Sequence, residues 1–246
     1  MSNQEAGWRS DFRVFLFLLW QHLKLPAPTP AQYALAKRLQ HGPRRDIIKA
    51  FRGIGKSWIT TAFVLWTLMR NNKQNIEVVS ASKNLANNFS TFAFQLIYNF
   101  PLLFELQPDK GGRDSRIEFD VAGAGASKDP SVKSVGIFGQ ITGTRADLIV
   151  ADDVATPKTA QTVGSREKLS EAVKEFDAIL KPEGTIKYLG TPQTQETLYN
   201  KLSSERGYGS WVWPARYPSV AQWEVMGHEL AEELVATIEK FRIENK

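Results

Sequence analysis

Asp46-Ile47-Ile48-Lys49-Ala50-Phe51-Arg52-Gly53-Ile54-Gly55-Lys56-Ser57 decides how the chain is read. Asp46 to Phe51, with two adjacent isoleucines, reads as a short strand running into a glycine-containing turn. Ser57 to Arg70 is apolar on nearly every side, as a helix buried in an α/β core is. Strand, glycine turn and helix in this order form the context of a phosphate-binding loop, and the Gly-Lys-Ser that such a loop requires is present. Gly53 and Gly55 let backbone N–H groups come close to a phosphate, and the positive end of the helix adds to their field. Lys56 is suited to neutralise β/γ oxygens, and the Ser57 hydroxyl to ligate Mg²⁺. Gly53, Ile54, Gly55, Lys56, Ser57 and Trp58 are therefore the expected nucleotide contacts. The full pattern has glycine at position 50, where this chain has Ala50. On this segment alone, an ordinary strand-turn-helix with a surface lysine competes with the phosphate loop.

A second element narrows the choice. Ala146-Asp147-Leu148-Ile149-Val150-Ala151-Asp152-Asp153 is an apolar strand that ends in paired acids. In nucleoside triphosphatases one such carboxylate holds Mg²⁺ and the next orients the attacking water. Adjacent carboxylates repel one another in the absence of a cation, so a metal explains the pair better than packing does. The carboxyl end of a strand is also the edge at which open α/β sheets bind ligands. An Asp-rich turn capping the next segment is the structural alternative.

Further outward, strands are expected near 76–80, 117–121, 132–138, 148–151, 185–189 and 211–213. Helices are expected near 31–40, 83–100, 165–180 and 196–205. This alternation predicts a doubly wound α/β fold, a mostly parallel sheet with helices on both faces. Phe12, Leu16, Leu19 and Leu23 recur on one helical face, and Pro26-Ala27-Pro28-Thr29-Pro30 forms a stiff linker after them. The expected division is an N-terminal helix and linker over 1–30, an ATPase domain over 31–216, and a charged, helix-prone linker over 217–246. Lys110 to Lys133 is a polar region that includes an exposed loop.

Composition excludes other classes. The chain has 246 residues, no cysteine and three histidines, so a disulfide scaffold or a thiolate metal site is impossible and a His-rich zinc site is starved of ligands. Its 31 Lys plus Arg against 26 Asp plus Glu give a net charge of +5, which permits a polyanionic partner without requiring one. The longest apolar run, Val14 to Trp20, is too short to span a bilayer. Glu5, Arg9, Asp11 and Arg13 precede it, unlike a signal peptide, so the protein is expected to stay where it is made.

Beyond these readings, the chain resembles the large terminase subunit of tailed double-stranded DNA phages, in its podovirus form, over about residues 10 to 220. Phe51-Arg52-Gly53-Ile54-Gly55-Lys56-Ser57 is similar to that family's deviant P-loop with its internal arginine. Val79-Ser80-Ala81-Ser82-Lys83 is similar to the element after the second strand, and Gly143-Thr144-Arg145-Ala146-Asp147 leads into the acidic motif in the same manner. Tyr188-Leu189-Gly190-Thr191-Pro192-Gln193 looks like the coupling motif.

The resemblance implies an ASCE-type, RecA-like domain that hydrolyses ATP with Mg²⁺ and translocates duplex DNA into procapsids. It also implies a small terminase subunit, the portal protein and further copies of the chain in a ring as partners, and the cytoplasm of the infected bacterial host as the location. It assigns Lys56 and Ser57 to phosphate and Mg²⁺, Asp152 to the metal, and Thr191 and Gln193 to coupling. Asp153 stands where the family usually has a catalytic Glu, and podovirus-type sequences often carry an acid where this chain has Ala155. Either Asp153 suffices or a carboxylate is missing. Arg52 is a candidate arginine finger in cis and Arg145 one in trans. Gln32, after Thr29-Pro30-Ala31, resembles the adenine-reading glutamine of helicase-like ATPases.

Phosphate contacts with DNA require Lys and Arg. Candidates are Lys110, Arg113, Arg116, Lys128 and Lys133 in and near the polar loop, with Lys37, Arg38, Arg44 and Arg45. Two other classes stay open: a helicase-like translocase, and a catalytically impaired nucleotide-binding module. The family's nuclease domain carries clustered carboxylates; none follows Ala215, so this chain is expected not to cut DNA.

Overall fold

The apolar pattern of each central strand alternates in burial between two faces, and this alternation builds the molecule. The computed structural model describes residues 6–192 and 198–213. In chain order the first elements are α1 (Ala6–Ser10), α2 (Phe12–His22), α3 (Pro30–His41), β1 (Arg45–Ala50), α4 (Lys56–Arg70), β2 (Ile76–Ser80) and α5 (Lys83–Asn99). After a 3-10 turn (Pro101–Leu106) come β3 (Glu118–Phe119), β4 (Val132–Gly136), β5 (Ala146–Asp152), α6 (Pro157–Ala160), α7 (Val163–Ala172) and α8 (Glu175–Ile179). The last are β6 (Leu180–Gly190), α9 (Leu198–Arg206) and β7 (Gly209–Trp213).

The strands form one seven-stranded sheet in the order β3-β4-β2-β5-β6-β1-β7. Only the short edge strand β3 runs antiparallel. Ile48, Val78, Leu148, Val150 and Leu189 point into one core with α2 to α5. Ile47, Val79, Ile149, Ala151, Ile186 and Tyr188 point into the other, beneath α7 to α9. A parallel sheet buried on both faces with successive residues in opposite cores is the expected α/β architecture.

The N-terminal helices belong to the first core. Phe12, Phe15, Leu16 and Leu19 on α2 are fully buried, and the Phe12 ring lies 5.2 Å from Phe63 and 5.3 Å from Trp66 of α4. Asp11 starts α2 by accepting the Arg13 N–H at 2.8 Å, and Thr29 with Gln32 forms a capping box at the start of α3.

Two expectations need correction. The single helix over 165–180 is two helices, α7 and α8, interrupted at Val173 and Lys174, and α8 stops at Ile179 because Leu180 turns extended and pairs with Ala146 of β5. The expected strand over 117–121 shrinks to the two residues of β3, paired only with β4. Gln193 and the segment from 214 onward lie outside the described residues. No helix among the described residues is long and apolar enough to cross a membrane.

Candidate nucleotide site

Register decides what meets at the carboxyl edge of the sheet. Asp152 of β5 pairs with Leu189 of β6, and Leu189 pairs with Ile48 of β1, so the tips of three adjacent strands finish together. The turn after β1 then folds over this edge. Gly53 and Gly55 take φ of 96° and 87°, left-handed values that glycine adopts without a Cβ penalty. Gly55 caps α4, whose first residue is Lys56.

Lys56 is the hub. Its side chain is buried, and Nζ donates to Thr191 Oγ1 at 2.9 Å, to the Phe51 carbonyl at 3.2 Å and to the Ala50 carbonyl at 3.4 Å. Asp153 Oδ2 lies 3.9 Å away. Thr191 in turn donates Oγ1–H to the Ala50 carbonyl at 3.0 Å, and its N–H donates to Asp153 Oδ1 at 3.0 Å. Ala50, where the motif has glycine, is buried and contributes this shared carbonyl.

The two acids differ. Asp152 is 8% exposed, and its Oδ1 is buried without a hydrogen-bond partner. Burial pushes its carboxyl up to about 6, with the neighbouring Asp153 charge adding to the rise; Ser57, Lys56 and Thr60 pull it back. A buried carboxylate oxygen with an open valence beside a serine hydroxyl is the kind of oxygen donor set that a hard divalent cation takes. Asp153, by contrast, is partly exposed and sits at φ 49°, a left-handed conformation that short polar side chains tolerate.

Around this centre, Gln32 Nε2 donates to the Ile54 carbonyl at 3.0 Å, so the α3 glutamine touches the turn directly. Trp58 is 42% exposed on the first turn of α4, 4.9 Å from the Phe92 ring. Arg52 is exposed on the turn. Arg145 is not brought here: it precedes β5, at the opposite edge of the sheet, and donates to the Ala178 carbonyl at 3.1 Å.

The basic candidates also separate. Lys133 is buried, donating to the Ile141 carbonyl at 2.8 Å and facing Glu77 at 3.5 Å. Arg113 is engaged with Asp120 at 3.1 Å and with the Ser127 and Lys128 carbonyls. Arg38, Arg44 and Arg45 pair with Asp46, Glu183 and Asp177 at the opposite edge of the sheet. Lys110, Arg116 and Lys128 are exposed.

Two residues of the site carry no motif. Tyr199 on α9 is fully buried with its hydroxyl unpartnered, and it presses against Gly190, where a Cβ would fall 1.8 Å from that oxygen. Thr60, one helical turn beyond Lys56, leans on Asp152. A glycine two residues before Pro192 was the only signal for the first contact, and none existed for the second.

Known proteins share this arrangement at the level of fold. The ATPase domain of the large terminase of Thermus phage P74-26 aligns with a TM-score of 0.51 at 14% identity, covering 92% of this chain and 94% of that one. The yeast DEAD-box splicing factor Prp28 aligns with a TM-score of 0.57 at 14% identity, covering 83% of this chain and 49% of that one. The fold is therefore that of the terminase ATPase and DEAD-box domains. Sequence narrows it further. Residues 47–163 match the family model described as the N-terminal part of the terminase large subunit, T4likevirus-type. Over 216 residues the chain is 53% identical to the terminase large subunit of Enterobacteria phage T3, across 87% of this chain and 37% of that protein. Residues 47–163 are thus the N-terminal domain of the phage terminase large-subunit family, and the chain spans well under half the length of this relative.

Proposed function

We propose that this chain is the motor domain of a phage large terminase, which couples Mg-ATP hydrolysis to the translocation of duplex DNA into procapsids. The observation that carries the reading is the meeting of Lys56, Thr191 and Asp153 beside the buried Asp152 carboxylate. Lys56 and the N–H groups of the Gly53 to Ser57 turn hold the terminal phosphates, with Gln32 and Trp58 flanking the turn. Asp152 and Ser57 would provide oxygen ligands for Mg²⁺, which when bound would supply charge neutralisation at the phosphate oxygens.

Asp153 takes the role of orienting the attacking water, and its hydrogen bond to the Thr191 N–H couples that role to β6. Thr191, with Gln193 beyond it, then relays the change of partners to α9. Arg52 has the reach of a turn residue toward a terminal phosphate, as a finger in cis. Arg145, at the far edge, serves only through a neighbouring copy in a ring. The small subunit, the portal protein and the host cytoplasm follow from the family and stand as proposals with it.

Phosphate release from the wild type and from Lys56→Ala tests this. A rate at least about 10²-fold lower in the variant is expected, from the loss of phosphate and transition-state contacts. Equal rates would remove hydrolysis and leave the nucleotide-binding module. That second reading is favoured by Ala155, a buried methyl where the resemblance to the podovirus form leads one to expect an acid.

A further inference from the structure

A groove of about 920 Å³ runs along β4, from the carboxyl ends of β2 and β4 at Ser82 and Gly136 to the loops before β4 and β5 at Lys128 and Thr144. Its floor includes Ser134 and Gly136, and three exposed lysines stand around it: Lys83 at the start of α5, Lys128 in the loop before β4, and Lys158 on α6. Among the described residues, none of these three ammonium groups makes a hydrogen bond or ion pair. Glu118 is the one acidic side chain in the lining, since Glu77 lies behind the wall and answers Lys133.

Unpaired cations held on three separate elements suit a chain of anionic charges better than a single anion. Ser82, Gln140, Thr142 and Thr144 add hydroxyl and amide groups that hydrogen-bond phosphate oxygens without distinguishing bases. We infer that this groove seats the phosphate backbone of duplex DNA, gripped by Lys83, Lys128 and Lys158. The grip therefore moves away from Arg113 and Lys133, whose charges are satisfied internally.

The groove is also wired to the nucleotide site, and this part rests on the ATPase reading above. Lys158 lies five residues beyond Asp153, and its helix is tied to the strand exit by the Thr159 Oγ1–H donated to the Val154 carbonyl at 2.7 Å. Lys83 lies three residues beyond Ser80, which pairs in register with Asp152. A shift at the acidic tip of β5 thus reaches two of the three lysines through a few bonds.

The test compares the wild type with Lys83→Ala/Lys128→Ala/Lys158→Ala, both confirmed folded by thermal melting. Fluorescence anisotropy of a labelled random-sequence duplex is followed across salt concentrations, with phosphate release measured with and without duplex. Three lost phosphate contacts should flatten the slope of log K against log salt by about 2.7 and weaken binding at least about tenfold. Basal phosphate release should stay within about twofold, and stimulation by duplex should vanish. An unchanged salt slope in the triple variant overturns the groove. Tighter, lysine-dependent binding of a single strand overturns the duplex assignment. If the wild type releases no phosphate yet its duplex binding still depends on the three lysines, the groove stands and the hydrolytic reading falls.

Discussion

Asp153 Oδ1 accepts the Thr191 N–H at 3.0 Å, while the Asp153 N–H donates to the Leu189 carbonyl at 2.7 Å. The acidic tip of β5 is thereby stitched on both sides to the end of β6. Holding it there requires the left-handed backbone at Asp153. Such conformations cost roughly 1 kcal/mol or more and gather at functional sites.

Asn tolerates the same backbone and keeps an oxygen for the Thr191 N–H, so Asp153→Asn removes charge alone. Phosphate release should fall by about 10² or more, with the melting temperature nearly constant. A variant that hydrolyses normally would show that the water is oriented by some other group.

Asp152→Asn should separate stability from activity. The carboxylate lies buried beside Asp153 with one oxygen unpartnered, and burial raises it to about 6. Removing its charge at neutral pH should stabilise the protein by about 1–2 kcal/mol while eliminating Mg²⁺-dependent hydrolysis. Urea titration without metal and phosphate release with Mg²⁺ read the two effects. A destabilised variant would contradict this account of the site.

Gly190→Ala should be among the most damaging single-methyl changes in the chain. The new Cβ would meet the Tyr199 ring and hydroxyl, which α9 and the second core hold in place. Overpacking of this kind costs about 2–3 kcal/mol. Tyr199→Phe removes only an unpartnered hydroxyl, so its unfolding midpoint should match the wild type or exceed it. Chemical denaturation of both variants gives the comparison.

Glu77 makes stability depend on pH. Burial raises its carboxyl to about 7, against the opposing influence of Lys133 and Thr144. The folded state therefore binds a proton more tightly than the unfolded chain does. Its contribution falls as pH climbs from the ordinary carboxylate range toward 7, by up to about 3 kcal/mol. Glu77→Gln should flatten this part of the profile when unfolding free energies at pH 5 and pH 8 are compared. An unaltered difference between the two pH values would show that Glu77 ionises without cost.

What the sequence disclosed followed from local order. The strand, turn and helix around Lys56 and the acidic end of β5 are contiguous stretches whose residue types match their backbone, and the sheet alternation follows from adjacent apolar residues. What stayed hidden depends on distant partners. Lys133 reads as a surface cation until Glu77, a neighbour only through β2–β4 pairing, is brought against it. The expected strand over 185–189 starts at Leu180 in β6, five residues earlier, with Pro182 and Gly184 inside it, and its register shifts against β5 between Ala146 and Leu148. The Tyr199–Gly190 contact joins α9 to a strand end through packing, for which no short-range pattern exists.

The Ala50 carbonyl serves two donors, the Lys56 ammonium and the Thr191 hydroxyl, with Phe51 and Thr191 as further partners for the lysine. Any anion that recruits Lys56 must draw it off oxygens that already satisfy it. A ligand at the turn therefore meets the lysine by exchange of contacts and not as a bare ammonium, and the more oxygens it offers, the more of these contacts it replaces.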